Sequence, residues 1–299
     1  MHKPQNFNRR RLLTRMAATA GLASMASIAW AQNTRGSGAE AAGATNSLVF
    51  GMVPYLPVQQ LVRLYEPIVG LFEKSLGKAC RLGSSTDFPQ FIDRARAGEF
   101  DLIGASPHVA RILQREEGFL PLVRATAPLE PVYIVPQSSP AKTLKDLGQQ
   151  TLLVADPFAV HVLIALRHLR DQGLVPGRDI KLLIAGTQRN GVQRMLKGDA
   201  PAAVGSASTL ALLPPELSSR FRVLATAPKG LTPMAYLAHP RLGKQVAQVR
   251  KNLLDFPRSS EGQAMFKETQ HEGFSPLTAQ ELASVDPLVV EYYNQRAAN

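Results

Sequence analysis

Nine residues of this chain combine the types and the placement needed to hold a small charged solute: Tyr55, Ser106, His108, Asp156, His161, Thr187, Gln188, Arg189 and Ser206. They follow short apolar runs, where a strand would end and a helix begin. Backbone N–H groups at a helix start lack intrahelical acceptors and carry partial positive charge, so such places attract anions. Imidazoles, hydroxyls and a guanidinium beside them extend the same chemistry. Phe158, next to Asp156, would add an apolar wall, so an organic anion fits as well as an inorganic one. Each residue also has a plain structural use. Tyr55 lies in a Pro-rich turn and can simply pack. His108 and His161 can satisfy local hydrogen bonds, and Thr187 and Ser106 can cap helices. Arg189 at a helix start opposes the macrodipole, so it either reaches an anion or stays solvated.

Other chemistries find no support. Cys80 is the one cysteine, which excludes an internal disulfide and a multi-thiolate metal site. It falls in an expected strand rather than on a loop, so covalent catalysis is disfavoured. Two histidines alone leave a metal site incomplete. There is no G-x-S-x-G, H-E-x-x-H or P-loop pattern. No enzyme activity, cofactor or metal is therefore expected. The net charge of +11 invites a nucleic-acid reading, but five of the 34 bases and none of the 23 acids lie in residues 1–31. The remaining bases are scattered, and the chain has one Trp, so the electrostatic footprint of a nucleic-acid binder is missing.

The elements that must position these residues alternate strand and helix from Ser47 onward. Leu48–Met52 reads as a strand and Val58 to Leu76 as a helix ended by Gly77. Strands are expected at Cys80–Gly83 and Asp101–Gly104. The helix between them opens near Ser85-Thr86-Asp87, and Pro107 marks another helix start. The pattern repeats with strands at Thr151–Ala155, Ile180–Ala185 and Ala202–Gly205. Helical segments follow each, at Phe158–Gln172, Arg189–Lys197 and Ser206–Leu213. The tail from Arg241 reads as mostly helical. This order predicts parallel sheets with crossover helices, and solutes bind such sheets beyond the carboxyl ends of the strands.

One internal echo organises the chain. Val123-Arg124-Ala125-Thr126-Ala127-Pro128 recurs as Val223-Leu224-Ala225-Thr226-Ala227-Pro228, each followed by another apolar strand. Taken as two crossovers, these segments assign 47–127 and 229–299 to lobe 1 and 128–228 to lobe 2. The N-terminus reads as an address. Asn8 to Thr14 is basic, Met16 to Ala29 is modestly apolar, and Ala29-Trp30-Ala31 is an A-x-A cleavage site. Arg9-Arg10-x-Leu12-Leu13 resembles a twin-arginine signal. Cleavage after Ala31 would release a periplasmic protein with a Gly/Ala-rich tether over 32–46.

The segment order resembles the phosphonate/phosphite-type periplasmic substrate-binding proteins of ABC importers. The resemblance rests on Phe50 to Pro57, Arg94 to Leu102, Ser106-Pro107-His108, Leu144 to Gly148, Asp156-Pro157 and Leu196 to Ala200, and spans about 47–290. It implies an α/β fold of the type II periplasmic-binding kind. Such a fold has two lobes, each a mostly parallel sheet with flanking helices, joined by two crossover strands. It also implies a non-enzymatic, monomeric binder that hands a solute to an inner-membrane ABC permease. A sensor subunit feeding a signalling kinase is the alternative. Three departures separate the chain from the family pattern. The Ser-Thr-Ser-Gly that follows Asp-Pro in phosphonate binders is Phe158-Ala159-Val160-His161 here. Gly-Ser-His-Asp is Gly186-Thr187-Gln188-Arg189, and an expected aromatic is Ala110.

Overall fold

The computed structural model describes residues 47–127 and 129–298; the expected export signal, cleavage site and tether lie outside the described residues. The chain begins with β1 (Leu48–Met52), α1 (Val58–Leu76), β2 (Cys80–Gly83), α2 (Phe88–Arg96), β3 (Leu102–Ala105), α3 (Pro107–Glu117) and β4 (Leu120–Thr126). It continues with β5 (Pro131–Pro136), β6 (Thr151–Val154), α4 (Val160–Asp171), β7 (Lys181–Ile184), α5 (Gln188–Lys197), β8 (Ala202–Ser206), α6 (Ala207–Leu210), α7 (Pro215–Ser218) and β9 (Phe221–Thr226). The last part holds β10 (Ala235–Ala238), α8 (Gln245–Asp255), α9 (Ser260–Thr269), β11 (Gly273–Pro276), α10 (Ala279–Ala283) and α11 (Asp286–Ala298).

Two mixed sheets result, in the orders β11-β4-β10-β3-β1-β2 and β7-β6-β8-β5-β9. The chain leaves the first sheet between β4 and β5 and re-enters it between β9 and β10. Each sheet is parallel only across three strands, β2-β1-β3 and β7-β6-β8. The pairings of β10, β4, β11, β5 and β9 are antiparallel. The expected parallel pairing thus stops where the crossovers begin. A strand that leaves for the other sheet and one that returns enter from opposite ends, so they pair antiparallel.

Local chemistry accounts for the parallel cores. The five residues of β1 are all buried, as expected of a central strand flanked on both faces. Leu61, Leu64, Tyr65, Ile68, Phe72 and Leu76 form the buried stripe of α1, and Gly77 ends it in the left-handed region at φ 64°. Gly51 is glycine because the Phe100 ring lies 2.6 Å from where its Cβ would sit. α4 starts two residues later than its apolar pattern suggests, because Asp156 Oδ1 accepts the Phe158 N–H at 2.7 Å and forms a turn first. No helix among the described residues is long and apolar enough to cross a membrane.

The C-terminal helix α11 was assigned to the first lobe from sequence, yet it packs against both. Arg111 of α3 donates to both Asp286 oxygens, and the Tyr293 hydroxyl donates to Glu116. Towards the second lobe, Arg170 of α4 donates to Glu291, whose side chain is 1% exposed and also accepts from Gln295. Removing one member of a buried pair strands the other. Glu291→Ala is expected to cost about 3 kcal/mol, the low end for buried pairs because Arg170 keeps some solvent contact. Thermal denaturation checks it, and an unchanged melting temperature would remove Glu291 as a tie between α11 and the second lobe.

Candidate functional site

The carboxyl ends of the parallel strands in the two sheets carry α1, α2 and α3 on one side and α4, α5 and α6 on the other. The helix starts there differ in one respect. Asp87 caps α2 by accepting the Gln90 N–H at 2.8 Å, and Thr187 caps α5 by accepting the Asn190 N–H at 3.1 Å. α1, α3, α4 and the single turn α6 have no side-chain cap, and of these only α3 and α4 carry a histidine in the first turn. Ser106 occupies the cap position of α3, but its Oγ is buried without a hydrogen-bond partner. Ala159 occupies the corresponding position of α4 and has no oxygen to offer. The amides of His108 and Val109, and of Val160, His161 and Val162, therefore have neither intrahelical acceptor nor cap.

A histidine stands second in both α3 and α4. His108 is fully buried, and both ring nitrogens lack partners. His161 is 9% exposed, and its Nε2 lacks a partner. Burial alone holds His108 far below the usual imidazole range, at about 3, and His161 at about 4. Both are neutral at pH 7. The His108 ring lies between Phe88, at 6.3 Å, and Tyr292 of α11, at 5.8 Å. Tyr292 meets Phe158, in the turn before α4, at 5.3 Å. An aromatic row Phe88–His108–Tyr292–Phe158 thus runs from one lobe to the other. Phe158 also packs into the first lobe's core.

The other expected site residues divide. Asp156 lies at the same strand ends, half-buried, and its carboxyl is pushed up by burial and then by nearby Asp87. Gln188 accepts the Ser206 N–H at 2.7 Å, and the Ser206 and Ser208 hydroxyls lie 2.9 Å apart, so these residues satisfy one another. Tyr55 is 42% exposed, with its hydroxyl 2.7 Å from that of Tyr65. Thr187 acts as a cap, and Arg189 is exposed at the start of α5. Phe88 and Tyr292 were not expected from sequence. Phe88 follows the Asp87 cap, a signal that marks a helix start lying next to a strand end; Tyr292 carries no such mark. A separate surface cavity of about 430 Å³ lies at the crossover, between α4, residues 228–231 and residues 284–288. It shares no residue with the aromatic row, and the unpartnered polar atoms favour the strand ends as the site.

The family model of the ABC transporter phosphonate periplasmic substrate-binding protein matches residues 50–282. The chain belongs to this family. No curated protein sequence matches it. Among solved structures, XAC2383 from Xanthomonas citri bound to chloride is similar at 16% identity and a TM-score of 0.73, covering 85% of this chain and 99% of that one. PhnD1 from Prochlorococcus marinus in complex with methylphosphonate is similar at 11% identity and 0.71, covering 83% and 98%. The periplasmic aliphatic sulphonate-binding protein SsuA from Escherichia coli is similar at 18% and 0.59, covering 84% and 93%. The protein is a periplasmic solute-binding component of an ABC importer, with the two-lobed fold expected from sequence. Lobe closure over a solute is the usual means by which such a fold reports occupancy to a permease.

Proposed function

We propose that the protein captures a small organic anion between its lobes, at the uncapped starts of α3 and α4. The carrying observation is that these two helices, one from each lobe, both lack a cap and both bring a buried, unpartnered histidine to the same boundary. Two helix starts supply open amides and partial positive charge. Phe158, Tyr292 and Phe88 supply apolar walls for the body of the solute. The capture of methylphosphonate by one structural relative and of aliphatic sulphonates by another agrees with an anion in this position. Of the expected site residues, Ser106, His108, Asp156 and His161 form the centre of the site, with Ser206 and Gln188 shaping its second-lobe edge. Tyr55, Thr187 and Arg189 stay at its rim.

The rest of the reading follows the sequence. The chain is exported on a twin-arginine-like signal and cut after Ala31. It acts as a monomer and binds without turnover. Lobe 1 comprises 47–127 and 229–299 and lobe 2 comprises 128–228, with α11 shared between them.

Val160→Pro isolates the open amides. Val160 is the first residue of α4, where proline suits the helix, and Ala159 has the extended conformation that a following proline requires. The substitution removes one N–H and leaves the helix. The mature protein is first screened by thermal shift against alkanesulfonates, carboxylates, phosphonates and inorganic oxyanions, with neutral sugars and cationic amines beside them. An anion at 100 times its Kd adds about 2.7 kcal/mol of stability. For any anion found, Val160→Pro is expected to weaken binding about 10- to 100-fold, the worth of one hydrogen bond to a charged group. Unchanged affinity would move the anion away from α4. Stabilisation by neutral or cationic solutes alone would overturn the reading.

A further inference from the structure

We infer that the site takes up a proton from solvent together with its anion, and that His108 or His161 becomes an imidazolium in the loaded protein. The inference rests on the interlobe anion site proposed above. Its ground is a missing cation. Among the described residues no Lys or Arg is buried, and the buried polar side chains at the strand ends are Ser106, His108, His161 and Ser206. Arg189, the cation expected from sequence, is exposed.

The charged groups on the elements packed around the two imidazoles are already engaged. Asp87 at the start of α2 holds the Gln90 N–H, and Asp156 before α4 holds that of Phe158. Arg111 of α3 is paired with Asp286 of α11, and Arg170 of α4 with Glu291 of α11. Arg96 of α2 is paired with Asp93 and Glu116, Arg94 with Glu99, Arg115 of α3 with Asp286 and Arg167 of α4 with Asp171, while Arg296 of α11 lies beside the Tyr292 hydroxyl and 4.0 Å from Asp93. An anion enclosed here meets open amides, hydroxyls and neutral imidazoles, with two carboxylates nearby. Two helix starts together offer roughly one unit of partial charge. A buried anion needs a hydrogen-bonded counter-charge, and the unpartnered ring nitrogens are where a proton can supply it. The step is balanced: one proton leaves bulk solvent and adds to an imidazole nitrogen, the solute keeps its charge, and no bond within it forms or breaks.

This determines the solute class: a monoanion that stays ionised and draws its counter-charge from the protein. The probe is 1-butanesulfonate, which does not titrate between pH 6 and 8.5, so any pH dependence belongs to the protein. Calorimetry is run across that range, and at pH 8 in triethanolamine and in Tris, two buffers without an anionic group whose different ionisation enthalpies reveal proton uptake. The expected result is a Kd that rises about tenfold per pH unit across the whole range, because the imidazoles of the solute-free protein, held at about 3 and about 4, are neutral throughout it. Uptake of about one proton is expected at pH 8, and both effects should vanish in His108→Gln or in His161→Gln. Tight binding with a flat Kd and no proton uptake would overturn the inference and leave the anion site standing. Failure of every anion in the panel to bind at pH 6 would overturn both.

Discussion

Between pH 7 and pH 5 the solute-free protein is expected to lose about 6 kcal/mol of stability, about 4 kcal/mol of it from two side chains. His108 and His161 sit in the folded protein at about 3 and about 4, below the ordinary value near 6.5. Their neutral forms are favoured by folding and their charged forms by unfolding. Their contribution is complete above about pH 6.5 and is lost as pH falls towards the folded-state values. In that interval the unfolded chain binds more protons than the native one, so stability falls by about 1.4 kcal/mol per pH unit for each histidine. Over the stated range this gives about 2 kcal/mol from each. His271, held at about 4 by burial, adds to the loss with the same sign. Lobe separation would rehydrate His108 and His161 without unfolding, so acid should also favour the open form. The check is thermal denaturation at both pH values, for the native protein and for His108→Leu combined with His161→Leu. The native protein should show the drop, and the double variant should keep only the smaller part due to His271. A pH-independent native protein, or an equal drop in the variant, would show that the imidazoles are hydrated in the solute-free state.

That the same histidines face a cost when empty and supply charge when loaded explains why their pattern was readable and their role was not. Ser106-Pro107-His108 and Val160-His161 could be placed from sequence at helix starts, because Pro107 and the strand runs before them mark those places. Legible in the same way were β1, α1 with its Gly77 terminus, and both crossovers, announced by the repeated Ala-Thr-Ala-Pro. What sequence leaves hidden is whether a cap is used. Ser106 has the right oxygen in the right position and leaves the amides open, whereas Thr187 closes its helix. That choice depends on side-chain direction, which residue type does not encode. The placement of α11 was hidden for a different reason. Its buried residues include Val289, Glu291, Tyr292 and Gln295, and exposed Val290 and Tyr293 lie among them. A helix that meets two lobes on two faces has no single apolar stripe, so periodicity does not report what it touches. For Arg189 the sequence leaves two readings open, a hold on an anion or a solvated side chain. Its helix is already capped, and the side chain remains in solvent.

Methylphosphonate and phosphite are expected to bind about two to four orders of magnitude more weakly to this protein than to a variant carrying Phe158→Ser, Ala159→Thr and Val160→Ser. A phosphonyl group enclosed between lobes must replace the water on several charged oxygens, and each hydrogen bond to a charged group is worth about 1.5–3 kcal/mol. The hydroxyls that the family pattern places after Asp-Pro are absent in Phe158-Ala159-Val160. The local backbone offsets less of this than the sequence suggests. The Phe158 N–H is taken by Asp156 Oδ1 and the Ala159 N–H by the Asp156 carbonyl, so only amides from Val160 onward are open. Arg189 does not turn in to compensate. Two missing bonds give about 3–6 kcal/mol, which is the stated range. Phosphonates that carry two charges face a further penalty here, since one imidazole proton neutralises one of them. Calorimetry at pH 7 on both proteins measures the difference, with thermal denaturation to confirm that losing the Phe158–Tyr292 contact has not unfolded the variant. Submicromolar methylphosphonate binding by the unaltered protein would place the phosphonyl oxygens on other donors, the open amides of α3 and Ser106 being the nearest available. A variant that gains nothing would mean that the turn at Asp156, rather than the side chains after it, sets which anion enters.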